Sequence, residues 1–163
     1  MTFEINNITP GKGSRLTASS LDELASQHLA LLDGANYATI ATMRKSGPPH
    51  MTTVWVDRDD THIRLNSAKG RIKDRNLRAR PDCSIMLIDP DSPYHWVSIE
   101  GTVVEIIDEE DADRERAASV TDHIDGLAEL YMNKRPYPMR NPNGEVRVMY
   151  KIAPSRIVTF GGA

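Results

Sequence analysis

The sequence predicts a mainly β fold with flanking helices, closed into a barrel rather than laid out as an alternating β–α sheet. Two observations lead there. Short stretches that alternate polar and apolar residues recur from Tyr37 to Phe160. A single amphipathic helix stands ahead of them, so no strand–helix–strand rhythm sets up a parallel sheet.

Residues 1–18 are expected to form an N-terminal arm ahead of one domain over 19–163. Within the arm, Thr9-Pro10-Gly11-Lys12-Gly13-Ser14 lacks the Gly-x-x-x-x-Gly-Lys-Ser/Thr spacing of a phosphate loop and follows no strand. Ser20 and Glu23 then stand at capping-box spacing, and Leu21, Leu24, Ala25, His28, Leu29 and Leu32 mark one helical face up to Gly34. Tyr37 to Met43 alternates as a strand, Lys45-Ser46-Gly47-Pro48 turns, and His50 to Val56 returns. Asp57-Arg58-Asp59-Asp60 turns into a third strand near Thr61 to Ser67, completing an antiparallel meander. A helix after Gly70 is stopped near Arg80 by Pro81. Cys83 to Ile88 and the long Tyr94 to Ile107 follow as strands, the second with a bulge or bend at Gly101. Asp108 to Met132 reads as a helix whose opening acids suit the positive end of its dipole. After a proline-punctuated loop from Lys134 to Gly144, Glu145 to Ile152 and Arg156 to Phe160 close the chain as two strands.

Charge is concentrated in one place. Asn66 to Pro81 holds six basic residues (Lys69, Arg71, Lys73, Arg75, Arg78, Arg80) against Asp74, a balance of +5. The chain as a whole is −3, so the remainder carries −8 and the island is positive in an acidic protein. A strand, a small-residue turn and a helix start succeed one another here, an order that turns backbone N–H groups toward a phosphate or carboxylate. A solvated basic helix face is the competing reading.

Much chemistry is excluded. Cys83 is the lone cysteine and sits in a predicted core strand, so neither an internal disulfide nor a nucleophile is expected. The five histidines are scattered, which argues against a transition-metal site. No run approaches the ~18 apolar residues of a membrane span. A soluble, cytoplasmic protein is the expectation, and with −3 net charge and 6% aromatics no nucleic-acid partner is expected. Neither a serine-nucleophile elbow nor a Gly-x-Gly-x-x-Gly turn is present, and no catalytic side chain stands out. If the protein is an enzyme, a bound cofactor supplies the reactivity.

Four pieces in order carry a resemblance: Tyr37-Ala38-Thr39-Ile40-Ala41-Thr42, Gly47-Pro48-Pro49-His50, Lys69-Gly70-Arg71-Ile72-Lys73-Asp74-Arg75-Asn76-Leu77, and the tail from Tyr137-Pro138 to Arg147-Val148. Together they resemble the split β-barrel flavin/deazaflavin oxidoreductases, the superfamily of pyridoxamine 5′-phosphate oxidase. Within it they are most similar to the F420-dependent reductases, the group that includes the F420-dependent biliverdin reductase. The likeness runs from about Leu21 to Phe160, and the Lys-x-Arg-x-Lys-x-Arg-Asn-Leu segment is its most specific piece.

The resemblance implies a homodimer with cofactor grooves between subunits. It implies that Thr52, Thr53 and Val54 lie along the deazaflavin ring, that Asn66, Ser67, Lys69, Arg71 and Lys73 hold the phosphate and acidic tail, and that Asn76 adds a contact. Coenzyme F420 suits the cation-rich segment, with FMN as the alternative. The implied reaction passes a hydride from the reduced deazaflavin C5 to an enone, quinone or tetrapyrrole-like acceptor. A flavin-type oxidase or reductase and a non-catalytic F420 carrier remain open. Trp55, Trp96 and Tyr131 are candidates to line a planar substrate pocket, and Arg140 and Arg147 to meet a carboxylated substrate.

Overall fold

The computed structural model describes residues 16–141 and 143–162, so the Thr9 to Ser14 stretch lies outside the described residues. Eight strands are present among the described residues: β1 (Leu16–Ala18), β2 (Ala38–Met43), β3 (Pro49–Val54), β4 (Val56–Arg58), β5 (Ile63–Ala68), β6 (Asp82–Ile88), β7 (Trp96–Asp108) and β8 (Arg147–Phe160). Three helices accompany them: α1 (Ser26–Asp33), α2 (Ile72–Ala79) and α3 (Arg114–Met132). None of them is long and apolar enough to cross a membrane.

All eight strands join one antiparallel sheet in the order β3-β2-β6-β7-β8-β5-β4, with β1 paired to β8. The two ends of that path, β3 and β4, are separated in the chain by Trp55 alone. The sheet therefore curls until its edges meet at one residue, which is a split β-barrel. Strand alternation fills it. In β6, Cys83, Ile85 and Leu87 point inward while Ser84, Met86 and Ile88 face out. Ile40, Val56, Ile63, Leu65, Val97, Ile99, Tyr150 and Ile152 complete the interior. Each large aliphatic side chain so buried contributes about 1.5–3 kcal/mol. Burial pushes the Cys83 thiol up to about 12, which keeps it unreactive at neutral pH.

Five expectations change. The arm's last three residues are strand β1, in register with Thr159 to Ile157. The first helix is split: Ser20 N–H donates to Glu23 as the capping spacing implies (3.1 Å), but Leu24 and Ala25 are extended and only Ser26 onward is α-helical. The meander stops at two strands, because the third predicted strand, β5, pairs with β4 and β8 on the far side of the barrel. The Asp108 to Met132 helix starts six residues late. Asp108 ends β7, and Asp113 caps α3 by accepting from Glu115 N (2.9 Å) and Arg116 N (3.3 Å). The last two strands are one, since Pro154 falls opposite Gly101, where the β7–β8 register already shifts and no ladder donor is needed.

That shift also fixes the residue at 101. A Cβ there would sit 2.7 Å from the Ala153 carbonyl oxygen and 2.8 Å from Ile152 Cγ2. Gly101→Ala should lower stability by roughly 1–3 kcal/mol, as the backbone must move to admit a methyl. A thermal melt that matches the parent would contradict this close approach.

Candidate cofactor site

The turn from Ala68 to Arg71 joins β5 to α2, and Gly70 takes φ +80° there, a conformation open to glycine at little cost. Asp74 holds the turn from inside. Its Oδ2 accepts from Gly70 N (2.7 Å), and its Oδ1 accepts from the Tyr150 hydroxyl (2.5 Å) and Arg78 Nε (2.8 Å). Burial pushes the Asp74 carboxyl up, but the Tyr150 hydroxyl, Gly70 N–H and Arg78 outweigh it and leave it below the ordinary carboxylate value. With Asp74 committed to Gly70, the N–H groups of Ile72, Lys73 and Asp74 at the start of α2 find no acceptor among the described residues.

In front of this helix start lies a cavity of about 290 Å³ lined by residues from seven parts of the chain. Thr53, Val54 and Trp55 come from the β3–β4 edge, Asn66 from β5, Arg71 and Lys73 from the helix start, and Ile124 and Leu127 from α3. Tyr37, Tyr137, Met139 and Arg147 complete it. One side is aromatic. Trp55 stacks on Tyr131 at 5.2 Å, and Tyr137 meets its edge at 6.0 Å. The other side is cationic. Arg147 is only 3% exposed, lies over the Tyr137 ring at 5.3 Å, and donates to Asn66 Oδ1 (2.8 Å) and Glu145 Oε1 (2.6 Å). Glu145 also takes Arg71 (3.3 Å). Lys73 differs from both. It is 9% exposed and pairs with no carboxylate among the described residues. Burial, then the Arg71 and Arg147 guanidiniums, lowers its amine below the ordinary lysine value.

The profile of the pyridoxamine 5′-phosphate oxidase family matches residues 24–157. The chain belongs to this family. Three solved structures share this fold. An F420 reductase is 24% identical with a TM-score of 0.67, over 82% of this chain and 98% of that one. A conserved hypothetical protein from Mycobacterium tuberculosis is 26% identical at TM-score 0.59, over 81% of each chain. The heme storage protein of Vibrio cholerae is 13% identical at TM-score 0.56, over 80% and 92%. The fold is therefore the flavin/deazaflavin split barrel of the pyridoxamine 5′-phosphate oxidase family.

The cavity brings together six of the twelve residues expected to hold the cofactor or to line the planar pocket, Thr53, Val54, Trp55, Asn66, Arg71 and Lys73, and Arg147, expected to meet a carboxylate, joins them. The other six lie elsewhere, each for a visible reason. Ser67 alternates with Asn66 along β5 and so projects from the opposite face, and Thr52 lies further back along β3 than the Thr53–Val54 end that lines the cavity. Both hydroxyls are buried without a partner among the described residues. Lys69 is exposed and held by Glu110 (2.9 Å) and Asp108 (3.7 Å). Asn76 is buried and donates to Thr42 Oγ1 (3.1 Å), tying α2 to β2. Trp96 stacks on Phe160 at 5.9 Å, outside the cavity. Tyr131 stands behind Trp55, its hydroxyl donating to the Asn36 carbonyl (2.9 Å) and accepting from Val56 N (3.2 Å). It supports the wall without forming it.

The remaining cations of the island are also engaged. Arg75 donates to the Gly70 carbonyl, Arg78 to Asp74 and Asp108, and Arg80 to the Met43 carbonyl (2.9 Å). Arg140 pairs with Glu109 outside the cavity. The resemblance implies that the Arg135 to Arg140 loop covers the site from a partner subunit, and here Tyr137 and Met139 of that loop line the chain's own cavity, while Tyr37, Ile124 and Leu127 escaped the sequence reading because only the fold brings the approach to β2 and the α3 face to β3 and β5.

Proposed function

We propose that the cavity binds a phosphate-bearing flavin-type cofactor, F420 ahead of FMN, and that the protein is an F420-dependent reductase of unsaturated small molecules. The carrying observation is Lys73: a cation nine-tenths removed from water that has no carboxylate partner among the described residues, at a helix start whose N–H donors likewise find no acceptor among them. Such a site lacks one anion, and a phosphate meets both demands. The aromatic wall of Trp55, Tyr37 and Tyr137 suits a planar ring system, so the residues present fit the cofactor. The neighbouring F420 reductase points the same way.

When bound, a reduced deazaflavin supplies a two-electron hydride equivalent. The chain's part is to orient and to exclude water. Trp55, backed by Tyr131, fixes the plane on which a ring stacks. Lys73 and the N–H groups of Ile72 to Asp74 hold the anionic end, while Asn66 and Glu145 keep Arg147 turned toward the cavity. Ile124 and Leu127 keep the floor dry. Among the described residues no carboxylate or imidazole lines the cavity, so a proton completing a reduction comes from solvent or from the hydroxyls of Tyr37 and Tyr137. The same absence favours a second reading, a carrier that binds F420 and turns nothing over.

A second copy of the chain completes this proposal. Tyr37 is 61% exposed and belongs both to the cavity and to an apolar outer face with Met51 (62%), Met86 (38%) and Ile88 (45%). A homodimer through that face would roof the cavity. Light scattering should therefore give a dimer mass.

Fluorescence-polarisation titrations against F420 and against FMN test the cofactor. Micromolar or tighter binding of F420 supports the reading, and binding of FMN alone sinks it. Turnover of reduced F420 with enones, quinones and tetrapyrroles separates enzyme from carrier.

A further inference from the structure

We propose that Lys73 is a capture site for small aromatic aldehydes that carry a carboxylate or phosphate, bound to its Nζ as an imine. The inference uses the cavity described above but does not depend on which cofactor occupies it.

Three features of the cavity serve this chemistry together. The first is the amine itself, which lines the cavity with no carboxylate among the described residues to hold its proton. An amine attacks a carbonyl only when neutral, and burial with two nearby guanidiniums favours the neutral form. The second is the pair Arg71 and Arg147 in the same lining, two cations that share the one carboxylate of Glu145 and so keep a net positive charge that attracts the anionic group of the aldehyde and leaves its carbonyl beside Lys73. The third is the aromatic wall of Trp55 and Tyr137, which takes the flat face of the ring. An exposed lysine such as Lys69, paired with Glu110 and Asp108, has none of these.

The step balances without an oxidant or reductant. The Nζ lone pair forms a bond to the carbonyl carbon, and the carbonyl π electrons move to oxygen, which takes a proton. Loss of water from that carbinolamine leaves a C=N bond to Nζ. Hydrolysis reverses the sequence. Capture removes an uncompensated cation from a buried position, and the adduct occupies the space where a cofactor phosphate would sit. Reactive aldehydes would then act as reversible blockers of the site.

The test uses 4-formylbenzoate and its methyl ester, which present the same aldehyde with and without the negative charge. The intact protein is incubated with each and reduced with cyanoborohydride, and the adduct is located by peptide mass spectrometry. The expected result is one dominant adduct, on Lys73, formed roughly tenfold faster with the carboxylate than with the ester. Its rate should reach half its plateau at a lower pH than that of Nα-acetyl-lysine amide. Lys73→Arg keeps the charge and should remove the adduct, with its thermal melt confirming the fold. Label spread over Lys45, Lys69, Lys134 and Lys151, or equal rates for acid and ester, would overturn the proposal. F420 binding with no Lys73 adduct defeats capture alone, and an adduct without cofactor binding defeats the reductase reading alone.

Discussion

Lys73→Met should raise the melting temperature of the cofactor-free protein while weakening its grip on a phosphate-bearing ligand. Lys73 is 9% exposed and shares its surroundings with Arg71 and Arg147, so the free protein bears an uncompensated buried cation. A methionine of similar length fills the space without the charge. We expect about 1–3 kcal/mol of added stability. The ligand side moves oppositely, since removing a charge-assisted phosphate contact costs about 1.5–3 kcal/mol of affinity. The stability gain also depends on pH with a defined sign. Lys73 titrates below its unfolded value of 10.5, so between the two values the unfolded chain binds more protons. Wild-type stability therefore rises with pH through that window, and its deficit against Lys73→Met is largest below the folded value. Denaturant melts across this range, with and without cofactor, check both halves. A variant that loses stability at pH 7 would show that Lys73 has a structural partner after all.

Asp74→Ala should cost about 3–5 kcal/mol, the largest single loss expected at the site. Its carboxylate serves three donors at once, and Tyr150, the most voluminous fully buried side chain, would keep a hydroxyl with no acceptor. Tyr150→Phe leaves Asp74 its other two partners and should cost only about 1.5–3 kcal/mol. The double variant should lose less than the sum of the two. Because the folded Asp74 value lies below the unfolded 3.8, its contribution is fully present above 3.8 and disappears as pH falls through the folded value. Asp74→Asn should flatten that acid limb. Retention of the full limb in an acid titration would assign it to other carboxylates.

The strand pattern was legible where a strand buries one face, as β2 and β6 do, because alternation reports that directly. Gly101 and Pro81 were readable for the same local reason: a bulge and a helix stop are decided within a few residues. What alternation does not contain is pairing. β3 and β5 look like consecutive strands of a meander, yet the chain crosses from one end of the sheet to the other between them. The site shows the same division. The strand–turn–helix anion site could be foreseen from the order of residue types, but the +5 island overstated it. Its neutralising partners, Asp108, Glu110 and Glu145, lie dozens of residues away and meet the island only in the folded chain. Lys73, one basic residue among six in the sequence, is the one left without a carboxylate or carbonyl partner among the described residues.

Trp55 is at once the hinge at which the barrel's two free edges meet and a wall of the cavity, with Tyr131 hydrogen-bonded to Val56 just beyond it. Whatever stacks on that indole therefore also fastens the seam of the barrel. Occupancy of the cavity should slow amide exchange along β3 and β4 beyond Thr53 and Val54, the β3 residues that line it. Reshaping the pocket at Trp55 would loosen the clasp that keeps the protein shut.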